Sequence, residues 1–195
     1  SAFDQTEIDA VKAWVQNGGA LLLIADHFPF AGAAAKMGAA FGFTFVNGFV
    51  FHAPTTEASD VFTVDSGALQ DHPITRGRTD TDSVSKIATF TGSAFTAPAN
   101  AAPLIVLPKD YVTLLPEVAW EFNGDTPRLA AEGYLQGAAT QVGKGRIVVF
   151  GEAAMLTAQV SKTDPNARTG FNAPEAAENK KLILNTLRWL SGHLP

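Results

Sequence analysis

At 195 residues the chain is long enough to bury a core without disulfides or a structural metal. A content of 46% apolar and 17% charged residues excludes an intrinsically disordered segment. The formal charge of −5, with basic residues scattered, offers nothing to a phosphate backbone, so no nucleic-acid partner is expected. Cysteine is absent, which removes disulfides, thiolate metal ligands and cysteine nucleophiles together. No apolar run is long enough to span a bilayer and no basic-then-apolar leader opens the chain, so no membrane partner is expected. The compartment stays open between cytoplasm and export after loss of a leader.

The chain opens as a helix. "DQTE" (4–7) has the form of a capping box, with Asp4 as N-cap and Glu7 three residues on. Ile8, Val11 and Val15 follow at helical spacing with Trp14 beside them, and "NGG" (17–19) supplies the glycine that ends a helix. "ALLLIA" (20–25) is a short apolar run without alternation, as expected of a strand covered on both faces. "AGAAAKMGAAFGF" (31–43) predicts a small-residue helix, and "FTFVNGFVF" (43–51) a strand, turn and strand or one bent strand. "VFTV" (61–64) and "DSVSKIATFTGSAF" (82–95) predict strands, with "DHPITRGR" (71–78) as the loop between them. "APLIVLP" (102–108) reads as another buried strand. Residues 128–160 contain a hairpin turning at "VGKG" (142–145), whose second arm "RIVVF" (146–150) is apolar on both faces before "GEAAM" bends into a short helix. "NAPEAAENKKLILNTLRWLSG" (172–192) predicts a long last helix, with Pro174 at its start and Gly192 just past its end.

With no repeat or linker, the chain reads as one domain, 1–195. Helices alternating with doubly apolar strands predict an α/β sandwich around a mostly parallel central sheet with an antiparallel β extension.

In open parallel sheets, ligands collect beyond the carboxyl ends of strands. Two predicted strands end there in polar groups: "ALLLIA" in Asp26 and His27, "RIVVFG" in Glu152. These three are the candidate catalytic residues, a carboxylate and an imidazole being the usual pair for general acid–base work on water. The structural alternatives are an N-cap for Asp26, a loop hydrogen bond for His27 and a helix-dipole interaction for Glu152. His52, His72, Asn172 and Asn179 are candidate substrate-binding residues. For His72, before a proline, a turn role is the alternative; for Asn179, on the inward stripe of the last helix, it is anchoring of a neighbouring loop. No H-x-x-x-H or H-x-H spacing occurs, and no metal site or cofactor is expected.

"EIDAVKAWVQNGGALLLIADHFPF", "DHPITRGR", "VGKGRIVVFGEAAMLTAQ" and the closing "FNAPEAAENKKLILNTLRWLSG" together resemble the class I glutamine amidotransferase-like superfamily, in its non-amidotransferase branches such as the trehalose-utilisation-type proteins. The resemblance covers nearly the whole chain. It implies a flavodoxin-like three-layer sandwich with its site at the strand tips. Two departures qualify it. Amidotransferases need a cysteine nucleophile, and this chain has neither cysteine nor a G-x-S-x-G elbow, so glutamine hydrolysis by the superfamily mechanism is excluded. Relatives also begin with a strand and helix upstream of the helix that opens this chain, which predicts a sheet completed by something else, with a homodimer as one possibility. The expected function is a small-molecule hydrolase for ester or carbohydrate-type substrates. The alternative is a non-catalytic ligand-binding or assembly domain that has lost the superfamily nucleophile.

Overall fold

The structure is a computed structural model that describes residues 1–57, 59–160 and 168–195. Helix α1 (Gln5–Gln16) starts at the capping box: Asp4 Oδ1 accepts from the Glu7 N–H and Glu7 Oε2 from the Asp4 N–H, each at 2.9 Å. Gly18, at φ +113°, turns the chain out of the helix and into β1 (Ala20–Ile24). Helix α2 (Phe30–Ala39) follows, then β2 (Thr44–Phe45), β3 (Phe49–His52) and β4 (Ser59–Thr63). "DHPITRGR" is more than a loop: Pro73–Arg76 forms a one-turn helix, α3. The segment read as strand over 82–95 divides at Thr91 and Gly92, both left-handed, into β5 (Lys86–Phe90) and β6 (Phe95–Thr96). Then come β7 (Ala102–Val106), β8 (Tyr111–Leu114), β9 (Arg128–Ala130), β10 (Leu135–Val142) and β11 (Gly145–Phe150). A 3-10 turn (Ala154–Leu156) leads to β12 (Ala158–Val160), with β13 (Arg168–Gly170) and α4 (Asn179–Leu190) completing the described chain.

The main sheet runs β1-β11-β10-β6-β2, with β7 also paired to β10. Its one parallel pair among the described residues is β1 with β11; every other pairing is antiparallel. The small sheets β3-β8-β9, β4-β5 and β12-β13 are antiparallel as well. This corrects the expected flavodoxin-like three-layer sandwich with a mostly parallel sheet: the fold is mixed α/β with a curled, mostly antiparallel sheet. The physical reason is local. The hairpin at Gly143–Lys144 fixes β10 antiparallel to β11, and β6 and β7 then pair antiparallel to β10.

An apolar run covered on both faces does not report strand direction. In β11, Ile147 and Val149 enter the core shared with Ile8 and Val15 of α1 and Ala34 and Met37 of α2. Val148 and Phe150 enter the core shared with Leu182 and Trp189 of α4. All four are fully buried, and each such side chain stabilises the fold by about 1.5–3 kcal/mol. β1 is different. It lies at the sheet edge, and Ile24 keeps 39% of its surface exposed.

The junction of α1, β1 and β11 is tight at Gly145, where a Cβ would lie 2.1 Å from the Val15 carbonyl oxygen and 2.3 Å from that of Gly19. Gly145→Ala is predicted to cost about 2–3 kcal/mol or to prevent folding, because backbone and not a flexible side chain would have to move. Gly124→Ala, with nothing within 4 Å, is predicted to change the urea midpoint little.

Candidate functional site

The two acidic strand tips lie side by side. Ile24 is in register with Phe150, the Ala25 N–H donates to the Phe150 carbonyl at 2.8 Å, and two residues beyond the Ile24–Phe150 pair stand Asp26 and Glu152. Their environments diverge from there. Glu152 is completely buried. Its Oε1 accepts from the Ala154 N–H at 2.7 Å and its Oε2 from the Met155 N–H at 2.6 Å, so both oxygens cap the 3-10 turn. Gly92, at φ +84°, closes over it: a Cβ there would lie 2.7 Å from the Glu152 Cβ and Cγ. Burial pushes the Glu152 carboxyl up to about 8, with the nearby Asp26 charge adding to the rise and the three backbone donors of Met155, Ala154 and Phe90 opposing it.

Asp26 is half-buried and faces a groove. One oxygen, Oδ1, accepts from the His27 N–H at 2.7 Å. Burial raises its carboxyl above the ordinary range, against the pull of that N–H and of the neighbouring imidazole. The groove, of about 640 Å³, runs along β1 and is walled by Phe3, by Val11 of α1 and by Phe30, Ala34 and Met37 of α2. Among the described residues Asp26 is the one ionisable side chain that lines it.

His27 sits among aromatic rings. It stacks on Phe49 at 4.5 Å and meets Trp120 and Phe30 edge-on at 4.8 and 5.6 Å. Its Nδ1 lies 2.8 Å from the Phe28 carbonyl oxygen, which can only accept. Nδ1 therefore carries a hydrogen, and Nε2 is without a partner among the described residues.

The four candidate substrate-binding residues line no part of this groove. His52 is exposed at the end of β3 beside the Tyr111 ring. His72 caps α3, its Nδ1 accepting from the Ile74 N–H at 3.1 Å. Burial and the adjacent Arg76 lower the His72 imidazole to about 4, as an acceptor nitrogen requires. Asn172 is exposed and donates to the Gln159 carbonyl, tying together the segments of the β12–β13 hairpin. Asn179 is buried and clamps β5 to the turn after Glu152: its Oδ1 accepts from the Ala88 N–H, and its Nδ2 donates to the carbonyls of Ala88 and Met155. Ser93, between β5 and β6, is buried with its hydroxyl donating to the Gly151 carbonyl. Among the described residues no group of three or more His, Asp and Glu side chains could hold a metal ion.

Sequence reasoning missed the groove and the aromatic surround of His27. The groove depends on β1 being an edge strand, which its composition hides. Trp120 lies in the irregular stretch before β9 and carries no periodic signal.

No protein-family model and no curated protein matches the chain. Among solved structures it is similar to the mmIFT52 N-terminal domain, at 14% identity and a TM-score of 0.61, over 97% of this chain and 72% of that one. Weaker likenesses are to the Cytoplasmic Protein STM3548 from Salmonella typhimurium, at 13% identity and a TM-score of 0.47, over 96% and 61% of the two chains. The Cytoplasmic Protein STM1381 from Salmonella typhimurium LT2 follows, at 14% and 0.44, over 94% and 57%. The chain thus spans about three fifths of the length of those two proteins. The likeness to the mmIFT52 N-terminal domain is one of fold alone, and no sequence family stands behind the resemblance read from the motifs.

The raised Glu152 carboxyl has a measurable consequence. In the folded chain it holds a proton that an unfolded chain releases near the ordinary value of 4.5. Its stabilising contribution is therefore complete below 4.5 and disappears as the pH rises through about 8. Urea unfolding is predicted to show the wild type losing stability as the pH rises from about 6.5 to about 8, by about 1.4 kcal/mol at most for each pH unit, the lowered His72 imidazole opposing the fall below 6.5. Glu152→Gln, less stable at pH 5 because its amide faces the backbone donors, is predicted to lack this slope.

Proposed function

We propose that the chain is a binding or assembly domain that takes an extended apolar segment along β1. The observation that carries this reading is the groove, apolar along its length, open, and running beside an unpaired sheet edge. The Ala25 N–H points to β11, and the alternation of a parallel ladder turns the N–H and C=O groups of Ala20, Leu22 and Ile24 to the open side. A free edge of this kind is a template for a further strand, and β1 carries no charge, proline or bulge to discourage one. The occlusion of Glu152 supports the same reading, since a carboxyl with both oxygens committed to backbone and no opening to the groove is poorly placed to act on a substrate.

One observation favours a second reading. The unpartnered Nε2 of His27, next to Asp26, would suit a hydrolase of ester or carbohydrate-type substrates that works without Glu152. Two measurements separate the readings. A capped peptide of alternating valine and threonine is expected to bind the wild type, and to lose that binding in Ile24→Lys, which sets a charge on the exposed edge. A panel of ester and glycoside substrates is expected to give no turnover. Turnover abolished by His27→Ala and unaffected by Ile24→Lys would replace the binding reading with the hydrolase.

A further inference from the structure

The groove is uniform except at one end. Along β1 its walls are aliphatic and aromatic, and at the carboxyl end of the strand the wall is the Asp26 carboxylate. One oxygen of that carboxylate serves the His27 N–H, and Oδ2 has no partner among the described residues. Among the described residues Asp26 makes no ion pair with a lysine or arginine. Glu152 behind it is acidic, and His27 commits Nδ1 to the Phe28 carbonyl while its ring lies against Phe49. A segment laid on β1 would cover Asp26 and strip water from it, which is costly unless the segment brings a donor.

Resting on the groove reading, we propose that the occupant is an apolar β-strand with a lysine or arginine at the end that meets Asp26. The strand's backbone pairs with Ala20, Leu22 and Ile24, its apolar side chains fill the groove, and its cation closes on Oδ2.

The test uses the whole chain and capped seven-residue peptides of alternating valine and threonine, with lysine at one end or the other, and the same peptides with norleucine in place of lysine. Calorimetry is expected to find one lysine peptide binding about tenfold tighter than its norleucine counterpart. That advantage should vanish in Asp26→Asn, which retains an oxygen for the His27 N–H and whose folding is checked by its thermal midpoint. It should also shrink between roughly 0.01 M and 1 M salt, as the screening length falls from about 30 to about 3 Å. Equal affinity of lysine and norleucine peptides would overturn the cationic end and leave the groove reading standing. An alkylammonium of matching length binding as tightly as the peptide would overturn the strand. No binding of any peptide would remove both this inference and the reading beneath it.

Discussion

Among the described residues the five of β1 are paired along one side only, and the functional reading follows from that. The pairing with β11 is parallel, which brings two carboxyl-bearing strand tips to the same end of the sheet. The unpaired side leaves backbone donors and acceptors beside the apolar walls of α1 and α2. A strand inside the sheet would offer neither the groove nor the free ladder. The same five residues that look like a buried strand in the sequence thus supply the surface on which a ligand is argued to lie.

The two acids at the strand tips divide their work by solvation. Glu152 sits under Gly92 with its oxygens held by the N–H groups of Ala154 and Met155. Removing it would leave those donors unmet in the core, a cost of about 1–3 kcal/mol each. Its place in the chain is a strand tip, and its chemistry is that of a cap. Asp26, next to it and only half-buried, keeps an oxygen turned to the groove. Asn179 reinforces the arrangement from the other core, joining β5 to the turn that Glu152 closes.

Local structure was legible where short-range chemistry decides it. The Asp4 and Glu7 capping box, the glycine exit at Gly18 and the hairpin at Gly143 all form as their residues indicate. The juxtaposition of Asp26 with Glu152 could be anticipated because strand ends are marked by where apolar runs stop. Strand direction could not. The apolar pattern of β11 records two covered faces, and β10, antiparallel to it, is as deeply buried. The exposure of β1 was hidden for a related reason: Leu21, Leu22 and Ile24 have the composition of a core strand, and only the sheet order makes them an edge. Buried polar residues were ambiguous in kind. Nothing in the residues around Glu152 distinguishes a carboxylate that caps a turn from one that meets a substrate until Gly92 is seen lying over it.

Amide hydrogen exchange along β1 tests the open edge most directly. With the N–H groups of Leu21, Leu23 and Ala25 turned to β11 and those of Leu22 and Ile24 turned outward, protection should alternate, slow at the odd positions and fast at the even ones. Uniformly slow exchange across Leu21 to Ala25 in the isolated chain would mean that the outer side of β1 is already paired. The groove would then not be a place where a ligand strand can bind.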